Sequence, residues 1–231
     1  MKRVVLIGGG EIGRKGLYET EKIDKKIVSL TKKEKPILLF IGLASSHSDS
    51  YYDQIKKNFK NLNCETMYLK RKNIINNPDI VEEKFTKADI IYIGGGDTIK
   101  LIEDIKYYKL DTKIKKAYER GCILVGISAG AILLSKEGFS DSYILRNEDT
   151  KHKFIKGLNI VDIIYCPHFE NNSIREKELI ETLKKSNKKV YALEDNTAII
   201  IEDSEIKTIK ANNKKIYICS LKEGRYIKEE I

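Results

Sequence analysis

Cysteine is scarce in this chain, and what there is does not cluster. Its four thiols, Cys64, Cys122, Cys166 and Cys219, are far apart and include no C-x-x-C pair, which argues against a disulfide framework and against a zinc site. Cys122 and Cys166 fall inside apolar runs and read as buried, reduced thiols. Long hydrophobic runs are missing as well, since no stretch approaches membrane-spanning length. The first apolar run, Val4-Val5-Leu6-Ile7, is cut short by three glycines and so does not resemble the core of a signal peptide. These absences lead us to expect a cytoplasmic protein. No proline-rich linker, internal repeat or low-complexity tail divides the chain. Residues 1–231 are therefore expected to form one domain, long enough to bury a core without metal or disulfide staples.

Negative charge is in deficit: 34 acidic residues face 43 basic ones, a net of +9. Such a balance invites a nucleic-acid reading, but the lysines are spread over every predicted helix and no basic–aromatic interleaving accompanies them. Solvated surface is the better reading, with a field that helps attract acidic substrates. Neither a nucleic acid nor a membrane is expected as partner; a homodimer is the default expectation for assembly.

What the chain does have is a regular alternation. Apolar, strand-like runs recur at 4–7, 37–41, 64–69, 90–93, 123–126, 163–166 and 190–193, with helical stretches between most of them at 16–30, 51–61, 98–108 and 173–186. Continuous apolar strands alternating with amphipathic helices imply an α/β fold with a mostly parallel central sheet covered on both faces. The end of the chain changes character. Short strands at 197–201, 205–209, 215–219 and 225–227, joined by Asn-Asn or Glu-Gly turns, suggest a C-terminal antiparallel meander.

Ser128 lies in Gly126-Ile127-Ser128-Ala129-Gly130, between the apolar run Cys122-Ile123-Leu124-Val125 and a helix-compatible stretch. This is a G-x-S-x-G elbow in the strand–turn–helix context it needs, which lifts one hydroxyl out of the sheet above a helix N-terminus. The backbone N–H of Ala129 is then available to a developing oxyanion. Two other glycine clusters follow strands. Gly8, Gly10 and Gly13 formally satisfy a dinucleotide fingerprint, but the end of the second strand, Ile41-Gly42-Leu43-Ala44, carries no carboxylate to hold a ribose. A glycine-rich turn beside the active-site edge fits better. Gly94-Gly95-Gly96-Asp97-Thr98 opens a helix with Asp97 or Thr98 as cap, and Gly95 or Gly96 can supply a second oxyanion donor.

A serine hydroxyl needs a base, and only three histidines are present. His152 lies in a charged stretch and His47 in a serine-rich loop, whereas His168 follows the strand ending at Cys166, at the same sheet edge as the elbow. Two carboxylates compete to orient its ring. Glu194 ends the strand at 190–193 on that edge and is preferred; Asp141, in the loop after the elbow helix, is the alternative.

Taken together, Gly94–Thr98, the elbow, Pro167-His168-Phe169 and Glu194 resemble the serine-peptidase family of aspartyl dipeptidase (peptidase E) and cyanophycinase, over the region from the first strand to about residue 202. The resemblance implies a flavodoxin-like three-layer sandwich related to class I glutamine amidotransferases. It also implies Ser128 as nucleophile, His168 as base, and an oxyanion hole from Gly95 or Gly96 with Ala129. The third member it implies is either a glutamate matching Glu194 or an aspartate matching Asp141. An arginine matching Arg175 is implied to bind an acidic side chain of the substrate, which a guanidinium suits through its planar fork of donors. The expectation is a serine peptidase acting on small peptides, including dipeptides with N-terminal aspartate, with no metal or organic cofactor. A non-catalytic glutaminase-like binding domain, and an esterase or acyltransferase using the same triad, are the alternatives.

Overall fold

The first strand, β1 (Arg3–Ile7), shows how the layers arise from a period of two. Val4 and Leu6 join the core on one face of the sheet, Val5 and Ile7 the core on the other, and all four are fully buried. The computed structural model describes residues 1–13, 16–211 and 213–231. From β1 the chain runs through α1 (Glu21–Leu30), β2 (Ile37–Ile41), α2 (Ser48–Lys60), β3 (Glu65–Tyr68), α3 (Arg71–Asn76), α4 (Pro78–Lys87) and β4 (Ile90–Ile93). Next come α5 (Thr98–Tyr107), α6 (Leu110–Glu119), β5 (Ile123–Ile127), α7 (Ala129–Leu134), β6 (Glu137–Ser140), α8 (Ser142–Leu145) and β7 (Lys153–Lys156). It ends with β8 (Ile164–Cys166), α9 (Ile174–Leu183), β9 (Val190–Leu193), β10 (Thr197–Glu202), β11 (Glu205–Lys210), β12 (Ile216–Lys222) and β13 (Arg225–Glu230).

The strands form two sheets. In the central, seven-stranded sheet the order is β11-β10-β1-β5-β4-β2-β3, parallel from β1 through β3 and antiparallel at β10 and β11. Helices α1 and α2 cover one face with Ile23, Ile27, Ile55 and Phe59. Helices α4 to α7 cover the other, where Phe85, Leu101, Ile105 and Ile114 pack on Leu39, Ile91 and Leu124. Each fully buried side chain of this size contributes roughly 1.5–3 kcal/mol. The mostly parallel α/β sheet expected from the sequence is thus present.

The runs at 163–166 and 190–193, expected as further strands of that sheet, belong to a second one. Its order is β13-β12-β9-β8-β6-β7, with parallel pairing only where β8 meets β6 and β9. The edge of β1 that they would need is taken by antiparallel β10. The four antiparallel strands expected at the C-terminus are found as two hairpins, β10–β11 on the central sheet and β12–β13 on the second. Helix α1 also starts later than expected, at Glu21, and Tyr18 before it pairs instead with Ile12 in an isolated antiparallel bridge. Among the described residues no helix is long and apolar enough to cross a membrane.

Candidate active site

Strand β5 ends in a turn that few side chains tolerate. Ser128 sits at φ +53° and ψ −113°, a sparsely populated conformation for a residue with a Cβ, costing roughly 1–3 kcal/mol. The flanking glycines make the turn possible: a Cβ on Gly126 would collide with the Gly130 carbonyl, and one on Gly130 with the Ile93 carbonyl. Helix α7 starts at once, so the amide of Ala129 belongs to its unpaired first turn. The result is a hydroxyl raised over the carboxyl edge of the central sheet.

His168 reaches it from the second sheet, two residues after β8, with φ +49°. Its Nε2 lies 2.8 Å from Ser128 Oγ, and its Nδ1 lies 2.7 Å from Asp195 Oδ1. A carboxylate only accepts hydrogen bonds, so Nδ1 carries the proton and Nε2 is left to accept from the serine hydroxyl. The His168 and Asp195 side chains are 39% and 45% exposed, so the arrangement opens to solvent on one side.

Neither carboxylate favoured from the sequence meets the imidazole. Glu194 Oε2 accepts from the Lys215 amide at 3.2 Å, and Asp141 Oδ2 accepts from Arg175 Nη2 at 3.3 Å. Asp195, which the sequence reading passed over, occupies that place. Asp195 lies in the turn that follows β9, one residue beyond Glu194, and strand alternation does not extend into a turn to single it out.

Arg175 is also differently placed from the expectation. Its guanidinium donates to the Phe139 carbonyl at 3.2 Å as well as to Asp141, and only 11% of the side chain is exposed. It is held by its own chain. Gly95 does approach the serine, since a Cβ there would stand 3.3 Å from Ser128 Cβ. Its turn is pinned at both ends, by Gly94 N–H to Ile41 O at 2.9 Å and Asp97 N–H to Ala44 O at 3.1 Å. Among the described residues the amides of Gly95, Gly96 and Ala129 have no acceptor. Asp97 Oδ1 instead accepts from the Ile99 and Lys100 amides at 2.9 and 3.2 Å, so the carboxylate caps α5 and is directed away from those donors.

A cavity of about 230 Å³ opens here, bordered by Gly9, Ser45, Tyr51, Gly96, Ser128 and His168. A second hollow of about 530 Å³ lies on the other side of His168 and Asp195, lined also by Glu170, Asn171 and Lys214. The larger hollow of about 630 Å³ among Tyr118, Asp162, Lys188 and Ile206 holds no such nucleophile–base pair. Cys166, two residues before His168, is no rival nucleophile, because burial pushes its thiol up to about 12. Among the described residues no group of three or more His, Cys, Asp or Glu side chains is arranged to hold a metal ion.

The fold recurs in a solved peptidase from an acI-B1 actinobacterium, with a TM-score of 0.72 at 21% identity over 100% of this chain and 96% of that one. In sequence, the chain is 29% identical over 203 residues to the uncharacterized peptidase YgaJ of Bacillus subtilis (strain 168), covering 86% of this chain and 83% of that protein. It is 24% identical over 212 residues to peptidase E of Nostoc sp. (strain PCC 7120), covering 88% and 84%. Residues 4–209 match peptidase family S51. That match reaches into both sheets and includes every residue of the Ser128, His168 and Asp195 constellation, and the chain belongs to peptidase family S51 as a serine-type peptidase.

Proposed function

We propose that this peptidase cleaves small peptides through an acyl-enzyme on Ser128. His168 Nε2 takes the hydroxyl proton as Ser128 Oγ attacks the scissile carbonyl, then passes it to the leaving amine. Asp195 holds the ring in the tautomer that makes this transfer possible and stabilises the imidazolium. The amides of Ala129 and of Gly95 or Gly96 receive the oxyanion, an interaction worth roughly 3 kcal/mol per donor in the transition state. Water activated by the same imidazole then releases the acyl group and restores Ser128.

The observation that carries this reading is the unbroken line from Ser128 Oγ through both ring nitrogens to Asp195, 2.8 and 2.7 Å long at its two bonds. Substrate size follows from the cavity. At about 230 Å³ it falls below the ~300–1,000 Å³ of drug-sized sites and suits a single residue beside the scissile bond. Arg175 is occupied by Asp141 and Phe139, so preference for an acidic residue is a question for the substrate panel. A fluorophosphonate probe is expected to label the wild type and not Ser128→Ala, and a dipeptide panel that includes Asp-X members is expected to be turned over by the wild type alone. Equal labelling of the two proteins would remove Ser128 as nucleophile.

A further inference from the structure

The nucleophile and its base come from different sheets. Ser128 follows β5 of the central sheet, while His168 follows β8 and Asp195 follows β9 of the second. Hydrogen bonding between His168 and its partners needs the two sheets in register to within a fraction of an ångström. The end of β1 supplies a common reference. Three successive carbonyls there each accept from a different turn of the site: Ile7 O from Ser128 N–H at 3.1 Å, Gly8 O from His168 N–H at 2.9 Å, and Gly9 O from Asn196 N–H at 3.0 Å. Gly8 N–H in turn donates to Thr197 O at 2.9 Å. One short piece of backbone thus fixes the main chain at, or next to, all three members of the line.

Gly9 is where this strand end passes closest to the chemistry. Its φ is +147°, and a Cβ there would overlap both Asp195 Oδ1 and the His168 ring at Cε1 and Nδ1, the two sides of their hydrogen bond. The outer side of the same segment is held by Asn196, itself at φ +63° and 3% exposed. Its Nδ2 donates to Glu19 Oε2 at 3.0 Å, and the Glu11 amide donates to that same oxygen at 3.4 Å. Gly8, weighed in the sequence as part of a nucleotide fingerprint, and Gly9 beside it therefore have another use.

We propose that Gly9 is a positioning residue for the peptidase reaction. Its bare backbone, carried by the Ile7–Gly8–Gly9 carbonyl ladder and braced by the Asn196–Glu19 pair, sets the distance and tilt of the His168–Asp195 pair relative to Ser128. The proposal rests on the Ser128 reading given above. Displacing a reacting group by about 1 Å costs on the order of 100-fold in rate, and Gly9→Ala forces a shift at the hydrogen bond that orients the base.

The test uses the full chain, a fluorophosphonate probe on Ser128, and the far-downfield proton resonance of His168 Nδ1–H. Gly9→Ala is expected to fold, to be labelled about 100-fold more slowly than wild type, and to lose that resonance. Gly121→Ala is the control. Gly121 also has positive φ, +95°, but a Cβ there meets nothing within 4 Å, so labelling and resonance should stay at wild-type values. A folded Gly9→Ala with both readouts unchanged overturns the proposal. Should Gly9→Ala not fold, Glu19→Ala and Glu19→Gln decide it: the alanine variant should label several-fold more slowly and the glutamine, which keeps an acceptor for Asn196, should restore the rate. Equal rates for wild type and Glu19→Ala would overturn the bracing role and the proposal with it. A wild type that the probe does not label sinks the nucleophile reading itself; a labelled wild type with unchanged variants sinks only the positioning role.

Discussion

Asp195 and Glu194 are adjacent carboxylates with opposite prospects. Asp195 Oδ1 accepts the Nδ1 proton of His168, whereas Glu194 is spent on the backbone of Lys215. Asp195→Asn keeps the shape but can present an N–H to the ring, favouring the wrong tautomer, and is expected to lower kcat by roughly 10³–10⁴. Glu194→Gln retains the acceptor for Lys215 and is expected to stay within a few-fold of wild type. Steady-state hydrolysis of a dipeptide that the wild type turns over measures both, and a larger loss in Glu194→Gln than in Asp195→Asn would reverse the assignment. At this scale the sequence was readable where local spacing carries the geometry. Ser128 is set by glycines two residues either side, and His168 by its place after an apolar strand. Asp195 and Gly9 were not readable in the same way, since their importance arises from a contact between chain segments 186 positions apart.

At the level of elements, Gly9 and Gly10 after β1 border the site, and Tyr18 and Thr20 ahead of α1 are anchored on a buried acid. Asp24, in the first turn of α1, is fully buried, and its Oδ2 accepts from Tyr18 Oη at 2.8 Å and Thr20 Oγ1 at 3.1 Å. Burial raises its carboxyl from 3.8 to about 7, against the two hydrogen bonds that pull it down. Between those two values the folded chain holds a proton that the unfolded chain has lost. The contribution of this group is therefore fully present below pH ~4 and is lost as pH rises through about 7. Melting temperatures of wild type and Asp24→Asn, compared from pH 5 to pH 8, should show the wild type losing ground relative to the variant as pH rises. A difference that moves the other way would mean the carboxylate is stabilised as an anion. Elements themselves were legible in the sequence when they were apolar and long enough, as β2, β4 and β5 were. Strands β6, Glu-Gly-Phe-Ser, and β7, Lys-Phe-Ile-Lys, have no run to announce them and exist because they pair with one another and β6 pairs with β8. The division of strands between two sheets is equally silent in sequence, because an apolar run reads alike whichever neighbour it finds.

For the molecule as a whole, the two sheets meet in one core. Tyr165, Leu193 and Ile216 of the second sheet are fully buried in the same cluster as Leu6, Leu39 and Leu124 of the first, and the carbonyls of Ile7, Gly8 and Gly9 tie the sheet edges together above it. Separating the sheets would expose several large side chains at roughly 1.5–3 kcal/mol each, which should make unfolding a single cooperative event. The cysteines provide a reporter in each part of this core. Cys122 lies in the cluster shared by the sheets, Cys64 in the one under α1 and α2, and Cys166 and Cys219 in the one under α9. All four are buried, and burial pushes Cys64, Cys122 and Cys166 up to about 12 and Cys219 to about 11. Only thiolate reacts with an alkylating reagent, so the native chain should take up no label at neutral pH. Across a urea series, site-resolved alkylation should then rise at all four positions over the same narrow range. If Cys166 and Cys219 become reactive at lower urea than Cys64 and Cys122, the second sheet opens on its own, and the chain holds two folding units where we expect one.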